Sequence, residues 1–241
     1  MVLKRAEKGP ALAFNPCAAC PVRGLSVCGA LEPDDLDRLN GIVSHIHRAH
    51  GQPVFFEADP AAHLFVITNG CVKLYKLLAD GRRQITGFLF PSDFLGIALR
   101  DRYAYSAEAV TASTLCRFRR DRLEALLKEF PSLERRLLGI ASNELAAAQD
   151  QMLLLGRKTA EEKLGSFLHG LSRRAALRGL MSDRLDLPMT RADIADYLGL
   201  TVETVSRCFT RLRNRELVDF DTPQAMRINN AAALATLSGT E

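Results

Sequence analysis

Three cysteines lie close together near the N-terminus, in the segment NPCAACPVRGLSVCGAL that spans residues 15–31. Two residues separate Cys17 from Cys20, and seven separate Cys20 from Cys28. A cysteine thiolate is both a metal ligand and a nucleophile. The residues alone therefore leave three uses open: the thiols bind a metal, they carry out redox chemistry, or they have no chemical role.

The composition is that of an ordinary globular protein. The chain has 241 residues, of which 47% are hydrophobic and 25% charged, and this length favours two domains. No apolar run approaches the roughly 20 residues that span a bilayer, and the first 30 residues lack the apolar core of a signal peptide. We therefore expect a cytoplasmic protein without a membrane partner, whose six cysteines do not form a disulfide framework. A net charge of +4 is compatible with nucleic-acid binding but does not require it.

Strand signals dominate the region from residue 31 to about residue 130. Short apolar runs such as HLFVITNG, CVKLYKLLADG, QITGFLF and STLCRFRR are separated by Gly, Pro and Asp. Asn69–Gly70 is a turn dipeptide, and Asp80–Gly81 between two apolar runs is a strong hairpin signal. Many short strands joined by such turns predict a small antiparallel barrel or jelly roll.

A long helix is predicted from Pro131 to about Leu155, with Gly156 ending the pattern. Apolar residues recur there at spacings of three and four, which is a heptad seam. The seam consists of Leu138, Ala141, Leu145, Ala148, Met152 and Leu155. Such a helix either packs on its own barrel or pairs with its copy in a second subunit. We expect a homodimer, because the small side chains of Ala141 and Ala148 would let two helices approach closely.

The segment RADIADYLGLTVETVSRCFTRL, residues 191–212, predicts a helix-turn-helix. Ala195 falls where two helices would cross, and Gly199 supplies the positive φ of the turn between them. Thr190 and Thr201 are natural N-caps for the two helices. The apolar residues that would pack the helices together are Ile194, Leu198, Leu200, Val205 and Cys208. The later segment LVDFDTPQAMRINN reads as strand, turn and strand, which would form the wing of a winged helix.

The second helix of this pair has a polar face suited to a DNA major groove. Arg207 can bond guanine O6 and N7, Glu203 can accept from the cytosine amino group, and Ser206 can bond a base or a phosphate. Thr210 lies on the same face, and Arg211, Arg213 and Arg215 are placed to neutralise phosphates. The alternative is a helical hairpin with a solvated basic face, which does not explain why so many positions match the docking geometry.

A barrel, a long pairing helix and a C-terminal helix-turn-helix together resemble the CRP/FNR family of bacterial transcription regulators. The resemblance covers essentially the whole chain. Segments similar to the FNR branch are PMTRADIADYLGLTVETVSR, GRRQITGFLFPSDFLG and QDQMLLLGRKTAEEKL. It implies that Glu203, Ser206 and Arg207 read a TTGAT-type half-site, in a palindromic promoter site bound by a homodimer, with RNA polymerase as a further partner.

The resemblance also implies an α+β architecture in four regions. These are a cysteine-rich cluster-binding arm (1–30), an antiparallel β-roll or jelly-roll sensor domain (31–130), a dimerisation helix (131–158) and a winged helix-turn-helix DNA-binding domain (159–241). An enzyme is not expected, because the sequence contains no Gly-rich nucleotide loop, no nucleophile–base constellation and no ferredoxin-type cysteine run.

The family offers several signals, which the sequence helps to separate. Its cyclic-nucleotide binders carry a glutamate after a glycine and an arginine before a serine or threonine. Here Ile97 follows Gly96 and Tyr105 precedes Ser106, so cyclic AMP is not expected. FNR-type members resemble this chain in placing a fourth cluster cysteine in the barrel strand that holds Cys116.

The resemblance therefore implies a [4Fe–4S] cluster on Cys17, Cys20, Cys28 and Cys116, and a regulator that responds to oxygen or nitric oxide. Cys71 and Cys208 are expected to be structural. The Cys-x₇-Cys gap is longer than in the enteric members. Zinc, a reactive-thiol switch and a small effector in the barrel are the alternatives.

Overall fold

The computed structural model describes residues 15–98 and 101–239. The strands are β1 (Val43–Arg48), β2 (Pro53–Phe55), β3 (His63–Asn69), β4 (Val72–Leu77), β5 (Arg83–Leu89), β6 (Phe94–Leu95), β7 (Ser106–Ala109), β8 (Ser113–Arg119), β9 (Arg184–Asp186), β10 (Val218–Phe220) and β11 (Ala225–Ile228). The helices are α1 (Leu36–Asn40), α2 (Arg120–Glu129), α3 (Pro131–Arg157), α4 (Ala160–Leu177), α5 (Arg191–Leu198), α6 (Val202–Asn214) and α7 (Ala231–Ser238). Short 3₁₀ turns at Val27–Ala30 and Pro33–Asp35 precede α1.

The first eight strands form a roll of two four-stranded antiparallel sheets. One sheet has the order β1-β8-β3-β6 and the other β2-β7-β4-β5. Side chains that point between the sheets build one core, in which Phe65, Ile67, Leu74 and Leu115 are buried together. The predicted antiparallel roll is therefore confirmed.

Two glycine turns set the register of this roll. Gly70 between β3 and β4 has φ +91°, and Gly81 between β4 and β5 has φ +83°. Only glycine adopts such angles without strain. Both turns lie where the sequence predicts them, and the hairpin of β4 and β5 projects from the roll towards the C-terminal domain.

The long helix α3 starts at the predicted residue and ends slightly later than predicted. Pro131 occupies its first turn as expected, but the helix continues past Gly156 to Arg157. A glycine costs a helix only about 1 kcal/mol, so it does not have to end one. The preceding ten residues form α2, whereas the sequence reading extended the strand-like region to about residue 130.

The C-terminal domain contains the predicted helix-turn-helix. Thr159 caps α4 through a capping box with Glu162, and Thr190 caps α5 through one with Asp193. Gly199 takes the left-handed conformation between α5 and α6. The predicted strand pair gains a third member, because β10, β11 and β9 form one antiparallel sheet. No helix in the described ranges combines the length and apolar character needed to cross a membrane.

We predict that Gly70→Ala destabilises the roll more than Gly81→Ala. An alanine at either position lowers the free energy of unfolding by about 1–2 kcal/mol, because its Cβ disfavours a positive φ. At Gly70 that Cβ would also lie 2.3 Å from the Ser113 hydroxyl and 2.6 Å from the Ala112 carbonyl oxygen, whereas nothing lies within 4 Å of one at Gly81. Urea unfolding of the two variants measures the difference, and equal losses would contradict the role of the close approach.

Candidate metal centre and nucleic-acid interface

Four of the six cysteines line one cavity of about 240 Å³. Cys17, Cys20 and Cys28 come from the N-terminal arm, which folds across the sheet that contains β8. Cys116 lies midway along β8, opposite His45 of β1 and Val66 of β3. The structure thus brings the four predicted ligands to the same place, although Cys116 is 88 residues beyond Cys28 in the chain.

Short-range hydrogen bonds hold the arm in this position. The Asn15 side-chain oxygen accepts from the Cys17 amide at 2.8 Å, and the Asn15 amide nitrogen donates to Asp37 on α1 at 2.6 Å. Further along, the Ser26 hydroxyl accepts from the Cys28 amide at 3.3 Å. Each cysteine at the ends of the motif therefore has its backbone fixed by a neighbouring polar side chain.

The loop between Cys20 and Cys28 closes tightly on itself. A Cβ at Gly29 would lie 2.8 Å from the Gly24 carbonyl oxygen and 2.9 Å from that of Arg23. Real Cβ atoms do not make such contacts, so only glycine permits this approach. The seven-residue gap is therefore accommodated by a compact turn that keeps Cys28 at the cavity.

Burial and mutual proximity raise the pKa values of these thiols. Burial, followed in order of size by the neighbouring thiols of Cys28, Cys20 and Cys17, raises the pKa of Cys116 to about 12. Burial likewise raises the pKa of Cys28 to about 11. Without a metal, Cys28 and Cys116 are thus neutral at physiological pH, and binding one would release their protons.

The four thiols surround the cavity and do not converge on one point. Within residues 15–98 and 101–239, no three Cys, His, Asp or Glu side chains are grouped closely enough to hold a single metal ion. Four thiolates are a donor set for either a tetrahedral zinc ion or a [4Fe–4S] cluster, in which each thiolate would bind a separate iron atom.

The arm also contacts the long helix α3, a feature that sequence reasoning missed. Arg136 of α3 donates to the Leu25 carbonyl oxygen at 3.0 Å. Val27 and Leu133 are both fully buried in one apolar core, which also contains Cys17 and Cys116. The arm has no periodic pattern, so its sequence carries no signal of this packing.

The face of α6 that the sequence assigns to DNA is open to solvent. The exposed residues on and after it are Glu203, Ser206, Arg207, Thr210, Arg211, Arg213 and Arg215. In the absence of DNA some of them pair within the chain. Arg211 bonds Glu161 of α4 at 2.9 Å, and Arg215 approaches the same carboxylate at 3.5 Å.

A stacked arginine fixes this helix in its domain. The Arg191 guanidinium lies 3.5 Å from the centre of the Phe209 ring and 5.0 Å from that of Phe220. These three residues belong to α5, α6 and the wing strand β10. The contact therefore joins α5, α6 and the wing strand β10.

Helix α3 leaves a row of apolar side chains uncovered. Leu138, Leu145 and Met152 are 66%, 61% and 68% exposed. Leu155 differs, because it is half-buried against the turn at Gly199 within the same chain. Ala141 and Ala148 line a second cavity, of about 520 Å³, between α3 and the roll.

This second cavity contains both positions that depart from the nucleotide-binding pattern. Ile97 and Tyr105 line it, and the Tyr105 hydroxyl accepts from the Gly96 amide at 3.3 Å. Arg174 of α4 also faces the cavity but is paired with Asp93.

Two family descriptions match most of the folded chain. A cyclic nucleotide-binding domain matches residues 46–130, and a Crp-like helix-turn-helix domain matches residues 162–237. The chain belongs to the CRP/FNR family of transcription regulators. This CRP/FNR chain is therefore a DNA-binding regulator of transcription and not an enzyme.

Individual relatives support the same conclusion. The Transcriptional activatory protein AadR of Rhodopseudomonas palustris is 44% identical over 83% of each chain. The Transcriptional activator protein FnrL of Cereibacter sphaeroides is 36% identical over 95% of this chain and 94% of its own. The structure of FixK2 from Bradyrhizobium japonicum is 34% identical and matches 81% of this chain and 97% of its own, with a TM-score of 0.77.

We predict that the buried thiols of metal-free protein react slowly with iodoacetamide. A thiol pKa of about 11 at Cys28 lowers its thiolate fraction about 100-fold relative to an ordinary cysteine, since each pKa unit is a factor of ten. Alkylation at pH 8, followed by peptide mass spectrometry, should show Cys28 and Cys116 at least that much slower in folded than in urea-unfolded protein. Equal rates in the two states would show that the arm does not bury them.

Proposed function

We propose that this regulator carries a [4Fe–4S] cluster on Cys17, Cys20, Cys28 and Cys116 and binds palindromic DNA as a homodimer when oxygen is low. The observation that carries the proposal is the shared cavity of these four thiols. Cys71 and Cys208 are buried elsewhere, in the core that includes the C-terminal domain. The thiols are thus divided into four that line one cavity and two that are buried elsewhere.

The relatives support an oxygen-related signal. The match to FnrL leaves out only a twentieth of this chain, too little to exclude the segment from Cys17 to Cys28. The Anaerobic regulatory protein of Pasteurella multocida is 35% identical over 93% of this chain. The name of the Pasteurella protein points to control by oxygen, while an oxygen response of this chain and ligation by these particular cysteines are our proposal.

The arm residues provide the route from the cluster site to the dimer helix. When bound, such a cluster would supply a link between arm and β8 that oxygen or nitric oxide destroys. The arm thiols and Cys116 would hold the cluster between the two segments, while Leu25 and Val27 contact Arg136 and Leu133 of α3. The position of the arm therefore influences the first turns of α3, which precede Leu138 at the start of the exposed row.

Pairing through that row would place two reading helices for a palindrome. Leu138, Leu145 and Met152 lie seven residues apart, which is the repeat of a two-helix seam. A two-fold dimer presents its reading helices about one DNA turn, or about 34–36 Å, apart. On each helix Glu203, Ser206 and Arg207 would contact bases of a TTGAT-type half-site, with Thr210, Arg211 and Arg213 beside them. RNA polymerase is the further partner that the family implies.

A second candidate is control by a small effector. The cavity of about 520 Å³ between α3 and the roll is large enough for one and is lined by polar groups of Tyr105, Glu144 and Gln151. In that case the arm cysteines would be idle or would act as a thiol switch.

We predict that Cys116→Ser abolishes iron binding and anaerobic DNA binding while the roll stays folded. Protein purified without air should be brown and contain about four iron atoms per chain, and the variant should be colourless. Cys71→Ser is the matched control, because Cys71 is also a buried cysteine of the roll but does not line the cavity. Iron analysis, circular dichroism and a DNA-binding titration under nitrogen give the three readouts.

Two results would count against the cluster. One is a Cys116→Ser variant that retains iron and DNA affinity. The other is colourless wild-type protein that binds DNA tightly under nitrogen, which would favour the effector.

We predict that Arg207→Ala relaxes the choice of base at one position of each half-site and costs about 1–3 kcal/mol there. Arg213→Ala is the comparison, because an arginine that contacts phosphate affects all sequences alike and lowers the salt dependence by about one unit of slope. Titrations against a site and its single-base variants, at several salt concentrations, separate the two behaviours. A uniform loss for Arg207→Ala would assign that residue to the phosphate backbone instead.

A further inference from the structure

A buried ion pair joins the sensor roll to the helix-turn-helix. Lys73 of β4 and Asp193 of α5 are only 7% and 5% exposed, and the Lys73 ammonium lies 2.9 Å from the Asp193 carboxylate. The same ammonium lies 3.0 Å from Glu108 of β7. Charged groups this deeply buried are held by their partners, so the pair fixes one arrangement of the two domains.

The two oxygens of Asp193 have separate tasks. Oδ2 accepts from the amide and hydroxyl of Thr190 and so completes the cap of α5. Oδ1 accepts from Lys73 and from Arg83, both on the hairpin of β4 and β5. The capping contact is therefore internal to the C-terminal domain, while the other oxygen serves only the roll.

The C-terminal end of α5 is held by the same hairpin. Arg83 donates to the Asp196 carboxylate at 2.9 Å. Gln84 donates to the backbone carbonyl oxygens of Asp196 at 2.7 Å and Tyr197 at 3.2 Å. These carbonyls are among those that a helix end leaves without a partner, so the hairpin supplies their hydrogen bonds.

Helix α3 contacts the same place from another side. Gln151 donates to the Tyr197 carbonyl oxygen at 2.9 Å. Leu155 packs against the turn at Gly199, with its Cδ2 atom 3.3 Å from where a Cβ would be. The helix-turn-helix is therefore fixed both to the roll and to the helix that carries the exposed row, while the reading face of α6 stays open.

We infer that Lys73 and Arg83 are positioning residues for DNA reading, which act through Asp193 and Asp196 to set the separation of the two reading helices in a dimer. The inference uses the family's DNA binding and the proposed dimer, but it does not require the cluster. Ionic hydrogen bonds suit this task because they fix direction as well as contact. Without these hydrogen bonds, each α6 helix remains intact and able to bind a half-site. The distance between the two α6 helices of the dimer is then no longer fixed.

The test measures dependence on half-site spacing. Lys73→Met and Arg83→Ala are compared with wild type and with Lys76→Met. Lys76 is the matched control, because it lies on the same strand and pairs with Glu57 of the roll at 2.7 Å. The probes are DNA duplexes with two inverted TTGAT half-sites, whose spacer varies one base pair at a time. Each added base pair moves one half-site by about 3.4 Å and about 34°.

Wild type and Lys76→Met should bind one spacing best and lose affinity steeply on either side. The ratio of interest compares the affinity for the best spacing with the affinity for a spacing two base pairs longer. Lys73→Met and Arg83→Ala should reduce this ratio by at least about tenfold. Affinity for the best spacing should fall, and the helix content measured by circular dichroism should change little, since the Thr190 cap remains. Arg83→Lys, which keeps the charge but not the forked contact, should give an intermediate ratio.

An unchanged spacing ratio would overturn the inference, whether total affinity is retained or lost. Equal loss at every spacing together with a lower melting temperature would show that the pair only stabilises the fold. All variants are compared at the same oxygen level and the same iron content. The outcome therefore does not depend on the cluster. If wild type shows no preferred spacing, the proposed dimer on a palindrome fails first.

Discussion

One apolar core joins three segments that are far apart in the sequence, and the proposed signalling depends on it. Val27 of the arm, Phe118 of β8 and Leu133 of α3 are all buried there. Packed interiors do not deform smoothly, so an arm that leaves its place must disturb the start of α3. The same packing that gathers four thiols around a cavity therefore places them next to the helix expected to mediate dimerisation.

The chain has two joints along α3, and they are built differently. The described part of the arm meets the first turns through apolar contacts and a hydrogen bond from Arg136. The helix-turn-helix meets the last turns and the β4–β5 hairpin through a network of charges and amides around Asp193. The apolar contacts depend on whether the arm is in place. The ionic contacts around Asp193 set the orientation of the helix-turn-helix. A long helix between two such joints is suited to carrying a local event over the length of the molecule.

The features that the sequence predicted are those with local causes. The caps at Thr190 and Thr201 and the turn at Gly199 follow from neighbouring residues, and the structure contains all three. The resemblance pointed to Cys116, while spacing alone could not, because a barrel strand reaches the arm only through the fold. Strand β9 and the packing of Leu155 on the turn were missed for the same reason, since each depends on a contact with a distant segment.

The pairing of Arg211 and Arg215 with Glu161 has a consequence for how the free protein meets polyanions. A phosphate that binds either guanidinium would compete with the Glu161 carboxylate for it and lie near that negative charge. DNA binding therefore releases fewer counterions than the number of arginines suggests. Non-specific binding to nucleic acid is weakened as a result. A DNA site whose base edges also contact α6 can compensate for this loss. Glu161, which lies outside the groove, thus increases the difference in affinity between the target site and other DNA.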